Sequence, residues 1–327
     1  MKVALDATPL TETSGGIRRY TAELAKALPR LFPQDEYLLV SDQSYQHPEG
    51  CGARGARGGE KRWWSCGLPR LLARERVDVF HGTDFAVPYW PSHPAVITVH
   101  DLSPWRLGGS ARVRRRTPWL LRLGLATMVI TPTEAVRGEV IDRFGVPPEE
   151  VAAIPLAAAD HFRPVVLPAP EKPYFLFAGS DNARKNAGVA REAWRELRRR
   201  GYDAGFRELG GLPEQDLPLL FSQAAAVLYP SLYEGFGLPV VEAMQCGGVV
   251  IASRDAAISE VAGGACLQCD ARDPRQWVRA MEAVLTDAAL RERLKCQAIL
   301  RAKAFSWERT AGLTRAVYEK ALRRFHG

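Results

Sequence analysis

The stretch "YPSLYEGFGLPVVEAM", Tyr229–Met244, runs from the end of one regular element into the start of another. The run leading into it, "AAVLYPS", is apolar and stops at polar residues, the mark of a buried parallel strand. Pro239 suits the first position of a helix, where its missing amide proton is not needed. The reading is strand, glycine-rich turn, helix, the repeating unit of doubly wound α/β folds. Side chains on a helix tilt toward its N-terminus, so Glu242, expected in the first turn, leans back toward the loop that holds Glu234. Gly235 and Gly237 let backbone amides come close to a ligand, and the helix N-terminus adds partial positive charge. Carboxylates that accept from hydroxyls, beside amides that meet anionic oxygens, describe a site for a ligand carrying both, such as a nucleotide sugar. On spacing alone, an ordinary strand–turn–helix junction with two solvated glutamates fits as well.

Outward from this stretch the alternation continues. "KVALDA", "EYLLVS", "VDVFHG", "AVITVHD" and "MVITPT" read as buried strands, with "IRRYTAELAKAL" and "EAVRGEVIDRFG" as helices, the latter closed by Gly145. "HFRPVVLPAPEKP" carries four prolines and reads as a linker. A second series opens with "YFLFAGS" and "AGVAREAWRELRRRG" and passes through "VVIAS" and "GACLQC" to a long helical tail. Two doubly wound domains are expected, residues 1–165 and 166–305, with a last helix at 306–327 packing back toward the first. "GCGARGARGGEKR" reads as a loop.

The chain has 327 residues, 46% hydrophobic and 25% charged, which is the balance of a globular protein with room for two cores. No apolar run approaches the ~20 residues that span a bilayer, and the apolar start of "MKVALDATPL" is too short for a signal peptide, so a cytoplasmic location is expected. Only Cys266 and Cys269 of the six cysteines form a CxxC pair, and they read as buried thiols rather than a zinc or redox site. The net charge of +7 favours anionic ligands or an anionic surface, while no nucleic-acid-binding signature is present.

"EGFGLPVVEAM" resembles the E-x7-E motif of the family 4 retaining glycosyltransferases, which have the two-domain GT-B fold. "GIRRYTAELAKAL", "VDVFHGTDFAVP", "ITVHDLSPWR", "RKN" and "FSWERTA" are similar to that family and follow its order, so the resemblance spans most of the chain. It implies two Rossmann-like domains facing a cleft, the first on the acceptor side and the second binding a nucleotide sugar. It places Glu234 on the donor sugar and Glu242 on the ribose hydroxyls. The amides of Gly235, Phe236, Gly237 and Leu238 meet sugar and phosphate oxygens, and Gly15 and Gly16 approach the diphosphate. His100 is implied beside the transferring sugar, although a lone histidine is more often a packed residue. Lys185, with Arg184, neutralises charge on the departing diphosphate. The implied activity is hexosyl transfer in polysaccharide biosynthesis with no cofactor and no metal. The wording of "ATPLTETSGGIRRY" and "VHDLSPW" points to mannosyltransferase-type members, with GDP-mannose as first donor and a UDP-sugar next, and a saccharide or lipid-linked acceptor.

The sequence departs from the family pattern in two places. Ser180 stands where many relatives have a second basic residue. After "REAWRELRRRG" the chain passes almost directly through "YDAGFRELGGLPEQDLPLLFSQ" to the next strand, so the second domain lacks one αβ unit. That leaves a second reading, a nucleotide-sugar-binding protein with little turnover. Finally, "SARVRRRTPWLLRLGL" sets Arg112, Arg114, Arg115 and Arg116 before Trp119, Leu120 and Leu123, either a solvated helix or a contact with an anionic membrane.

Overall fold

The computed structural model describes residues 1–327 except 58–61, 109, 169, 180, 181, 211 and 327, so Ser180 lies outside the described residues. The chain divides into two units, Met1–Leu156 with Trp307–Gly327, and Ala157–Ser306.

In the first unit the apolar runs form β1 (Lys2–Asp6), β2 (Glu36–Ser41), β3 (Arg54–Arg57), β4 (Val79–Gly82), β5 (Ala95–Thr98), β6 (Met128–Thr131) and β7 (Val151–Ala153). They make one parallel sheet in the order β3-β2-β1-β4-β5-β6-β7. The second unit contains β8 (Tyr174–Phe177), β9 (Gly205–Glu208), β10 (Ala226–Tyr229), β11 (Val250–Ser253) and β12 (Leu267–Cys269), in the parallel order β12-β11-β10-β8-β9. Both are doubly wound. Counted from its own first strand, the first sheet follows the 3-2-1-4-5-6 order and the second the 2-1-3-4-5 order. Removing one early strand and helix from the first pattern yields the second. In such sheets ligands bind outside the carboxyl ends of the strands where the winding reverses. Those points are β1/β4 in the first unit and β8/β10 in the second.

The second core gathers Phe175, Phe177, Leu197, Leu228, Ile251 and Trp277 between sheet and helices. Trp277 is fully buried and donates its Nε1–H to Asp270 O at 2.8 Å, so this large side chain brings no unsatisfied group inside. In the first unit, helix Trp307–His326 buries Trp307 and Tyr318. Tyr318 Oη lies 2.7 Å from His81 Nδ1, whose Nε2 lies 2.8 Å from Thr98 Oγ1, and Thr98 lies 3.1 Å from Tyr20 Oη. Burial holds the His81 ring near a pKa of about 3, so it is neutral and this chain of hydrogen bonds carries no charge.

Four expectations need correction. Residues 157–165 belong to the second unit, because Gln245 Nε2 donates to Ala159 O and Phe162 O, and Phe162 stacks on Phe221 at 6.0 Å. The glycine- and arginine-rich "loop" contains β3, which pairs with β2 from Leu38↔Arg54 to Ser41↔Arg57. The interval before β10 is not a direct run but holds β9 and helix Leu217–Gln223. Both missed strands lie at sheet edges, where one side needs no apolar pattern. Helix Leu238–Gln245 begins one residue before Pro239, so Glu242 lies beyond the first turn. Among the described residues no helix is long and apolar enough to cross a membrane.

Candidate active site

At the carboxyl end of β8 the chain makes a 3-10 turn, Ala183–Lys185, capped by Asn182 Oδ1, which accepts from Lys185 N at 3.0 Å. Asn186 follows with φ 54° and fixes the loop by donating Nδ2 to Pro230 O (3.2 Å) and Ala271 O (2.7 Å). That latch sets Arg184 and Lys185 against the chain that leaves β10. Lys185 Nζ donates to Glu234 Oε1 at 2.6 Å and to Tyr229 Oη at 2.7 Å, and Arg184 Nη1 donates to Glu234 Oε2 at 3.0 Å and to Tyr233 O at 3.2 Å. One carboxylate therefore accepts from two cations at the point where the winding reverses, with the Asp255 carboxyl beside the Glu234 backbone amide. Burial and the Glu234 charge push the Tyr229 phenol far above its ordinary range, so it stays neutral.

Glu234 and Glu242 are 6% and 2% exposed, which excludes the reading of two solvated glutamates. Gly237 caps the helix with φ 86°, a left-handed conformation that favours glycine, and it turns the Leu238 end of the helix into this loop. Gly235, Phe236 and Leu238 are buried beside it, with Phe236 edge-on to Phe305 at 5.7 Å. The structure thus brings Arg184, Lys185, Tyr229 and Glu234 into one bonded cluster, with Glu242 buried on the helix that follows.

The remaining candidates belong to the first unit. Gly15, φ 122°, caps helix Gly16–Leu31, which starts with Gly16 and presents Arg18 and Arg19 in its first turn, an arrangement suited to an anion. His100 follows β5. Its Nε2 must donate to Thr83 O (2.8 Å), since a carbonyl only accepts, and this leaves Nδ1 as the acceptor nitrogen. Burial lowers its pKa, so the ring is neutral, packed edge-on to Tyr20 at 5.0 Å.

The Glycosyltransferase Family 4 profile matches residues 14–159, and the Glycosyl transferases group 1 profile matches residues 200–301. The chain belongs to the family 4 glycosyltransferases. It is 27% identical to the O-antigen chain mannosyltransferase B of Escherichia coli over 380 aligned positions, covering 98% of this chain and 100% of the relative. That alignment is longer than the chain itself, so the relative carries segments absent here. An MMP alpha-(1->4)-mannosyltransferase of Mycolicibacterium hassiacum is 39% identical over 118 residues, covering 35% of this chain and 29% of that one. Among solved structures, sucrose-phosphate synthase from Thermosynechococcus elongatus superimposes with a TM-score of 0.75 at 20% identity, covering 98% of both chains. Anabaena Alr3699/HepE in complex with UDP and glucose gives 0.73 at 15%, covering 97% of this chain and 99% of that one. These place the glycosyltransferase in the GT-B fold.

Sequence reasoning missed several residues at the strand ends of this glycosyltransferase. Tyr229 read as an ordinary strand terminus. Asp6 ends β1 and Asp84 follows β4, and burial pushes their carboxyls up to about 7 and about 6, with Thr8 bonding Asp6 and the Arg116 cation moderating both. The arginine run is also split. Arg116 turns inward over Trp64 at 5.3 Å, while Arg114, Arg115, Trp119 and Leu123 face solvent. The Cys266 and Cys269 thiols are free, buried and pushed up to about 12 and about 11 by burial.

Asp84 makes a testable prediction about pH. Its folded pKa is raised above the unfolded value, so its contribution to stability is fully present below about pH 4 and lost as pH rises through about 6. Asp84→Asn removes that loss. Discounted for partial exposure, the gain is about 1–2 kcal/mol at pH 8. Melting curves should show the variant a few degrees above the parent at pH 8 and level with it at pH 4. An equal offset at both pH values would refute the assignment.

Proposed function

We propose that the protein moves a hexose from a nucleotide sugar to a saccharide or lipid-linked acceptor, with retention at the anomeric carbon and without a metal ion. The observation that carries this reading is the Glu234–Lys185–Arg184 cluster, a buried carboxylate holding two cations at the β8/β10 strand ends. In this reading a diphosphate lies against Lys185, Arg184 and the amides of residues 235–238, and Glu242 holds the ribose. The acceptor hydroxyl attacks the anomeric carbon from the side the diphosphate leaves. The carbon–phosphate-oxygen bond breaks with its electron pair on the diphosphate, and that oxygen takes the acceptor's proton. Lys185 and Arg184 offset the charge that grows there, which is the work a divalent cation does in other transferases. Neutral His100 accepts a sugar hydroxyl at Nδ1. Both the E. coli and Mycolicibacterium relatives are named mannosyltransferases, which favours GDP-mannose, while the UDP complex of the Anabaena protein keeps UDP-sugars second.

The second reading, binding without turnover, is supported by the shorter second sheet. One experiment separates them. Incubation with GDP-mannose or UDP-glucose and a set of acceptors in excess EDTA should release nucleoside diphosphate and give an α-linked product in proton NMR. A β-anomeric signal, or turnover that requires added magnesium or manganese, would overturn the mechanism; nucleotide binding with no product would favour the second reading. The reading also places the protein in the cytoplasm, with Arg114, Arg115, Trp119 and Leu123 touching an anionic membrane face. Co-sedimentation with anionic vesicles that persists in Trp119→Ser would rule that contact out.

A further inference from the structure

Tyr229 closes β10 and is 1% exposed, so it acts on a ligand only through the groups it touches. Its backbone is fixed by pairing with Ala252 of β11. From there the side chain reaches two parts of the site at once. Its Oη accepts from Lys185 Nζ at 2.7 Å, and a Cβ at Gly237 would lie 3.5 Å from its Cε1, so the ring packs on the glycine turn. Lys185 stands after β8 and Gly237 stands after β10. Tyr229 therefore spans the gap between the cation and the amides of residues 235–238.

The loop that follows Tyr229 is tied down on both sides. Pro230 O accepts from Asn186 Nδ2 at 3.2 Å, Ser231 O accepts from Ser253 Oγ at 2.6 Å, and Leu232 N donates to Arg184 O at 2.9 Å. Glu234 then meets Lys185 Nζ at 2.6 Å, so the ammonium is shared by a charged acceptor and a neutral one. Burial and the Glu234 charge keep the phenol protonated. The neutrality matters. A second carboxylate in that place would hold the ammonium but cancel its attraction for a diphosphate, whereas a hydroxyl orients it and leaves its charge intact. Lysine is a point charge on a flexible four-carbon stem, so with the hydroxyl gone it can swing between Glu234 and an arriving phosphate. The ring centroid lies 4.7 Å from Nζ, a cation–π contact that phenylalanine keeps. Tyr229→Phe thus removes the orienting hydroxyl and little else.

We infer that Tyr229 is a positioning residue, holding the Lys185 ammonium at a fixed distance from the glycine turn so that both meet one diphosphate together. Its effect on transfer rests on the transferase reading above; the restraint of Lys185 does not.

Tyr229→Phe in the full chain tests this. Its kcat should fall by about 10–50-fold, the cost of a misaligned group. Donor KM and the Kd for GDP or UDP should stay within about threefold of the parent, because no charge is lost. In the Lys185→Ala background the same change should cost less than about twofold, since the group it positions is gone. Full kcat in the single variant, or the same large loss repeated in the Lys185→Ala background, would overturn the inference. So would a fall in turnover matched by an equal fall in nucleotide binding. A second readout needs no turnover. In protein labelled with ¹⁵N-lysine, the Lys185 ammonium resonance is identified by its absence from Lys185→Ala. Its protons should exchange slowly in the parent and at least about tenfold faster in Tyr229→Phe. Exchange in the parent as fast as that of exposed Lys303 would overturn the inference even where the phenylalanine variant fails to fold. If the parent binds nucleotide and makes no product, the transferase reading falls. The Lys185 resonance then decides alone: faster exchange in Tyr229→Phe sustains the restraint, and unchanged exchange overturns it.

Discussion

Lys185→Ala is expected to weaken nucleoside diphosphate binding by at least about tenfold and to lower turnover by about 10²–10³, the usual effect of losing one group that stabilises developing charge. The sequence alone presents Lys185 as a surface cation whose loss leaves the fold untouched. The structure changes that expectation, because the side chain is 12% exposed and donates to both Glu234 and Tyr229. Alanine leaves the buried Glu234 carboxylate paired with Arg184 and removes one positive charge from the cluster. Removing one partner of a buried ion pair costs about 3–5 kcal/mol, and the surviving arginine reduces this to about 1–3. Binding and stability should therefore fall together, with a melting point several degrees lower. Lys185→Arg restores the charge but not the compact ammonium between carboxylate and phenol, so it should recover nucleotide binding better than turnover. Arg184→Gln, at a more exposed side chain, should lose less of each. Titration calorimetry giving equal nucleotide affinity for Lys185→Ala and parent would remove Lys185 from the donor site.

How far the sequence could be read depended on burial. Strands β4, β5, β6, β8, β10 and β11 are covered on both faces and wrote themselves as unbroken apolar runs. The edge strand "RGAR" had no such pattern, so its pairing with β2 was invisible. The glycine turn between Glu234 and Glu242 was legible because Gly237 at positive φ leaves a compositional trace. What Glu234 touches was not legible. Lys185 is 49 residues away from it, and only the β8/β10 crossover brings the two together. Asp6 and Asp84 were hidden for a related reason: an aspartate at a strand end is ordinary in sequence, and the Thr8 bonds to Asp6 and the unmet Asp84 Oδ1 are properties of the folded chain alone. The arginine run looked uniform as letters, yet the helical period sends Arg112 and Arg116 to a cavity and Arg114 and Arg115 to solvent.

Glu234→Gln separates charge from geometry at the same cluster. The replacement is nearly isosteric and removes one negative charge from beside Lys185 and Arg184. A diphosphate should therefore bind as well as before or more tightly, in contrast to Lys185→Ala. Turnover should nevertheless fall by at least about 10², for a reason that lies in hydrogen-bond direction. The two oxygens of Glu234 now accept from Lys185 Nζ at 2.6 Å and from Arg184 Nη1 at 3.0 Å. Glutamine has one oxygen and one NH₂, so one of the two cations must face a donor. That cation moves, and a shift of about 1 Å in a positioning group is enough for a hundredfold loss of rate. In the proposed mechanism the same carboxylate also contacts the donor sugar, and the exchange removes an acceptor for its hydroxyls. Tight nucleotide binding with lost turnover is thus the signature expected of Glu234→Gln. Joint loss of binding and fold would make Glu234 a structural residue. Full turnover in the variant would show that neither the carboxylate nor the alignment it imposes on Lys185 and Arg184 takes part in the transfer.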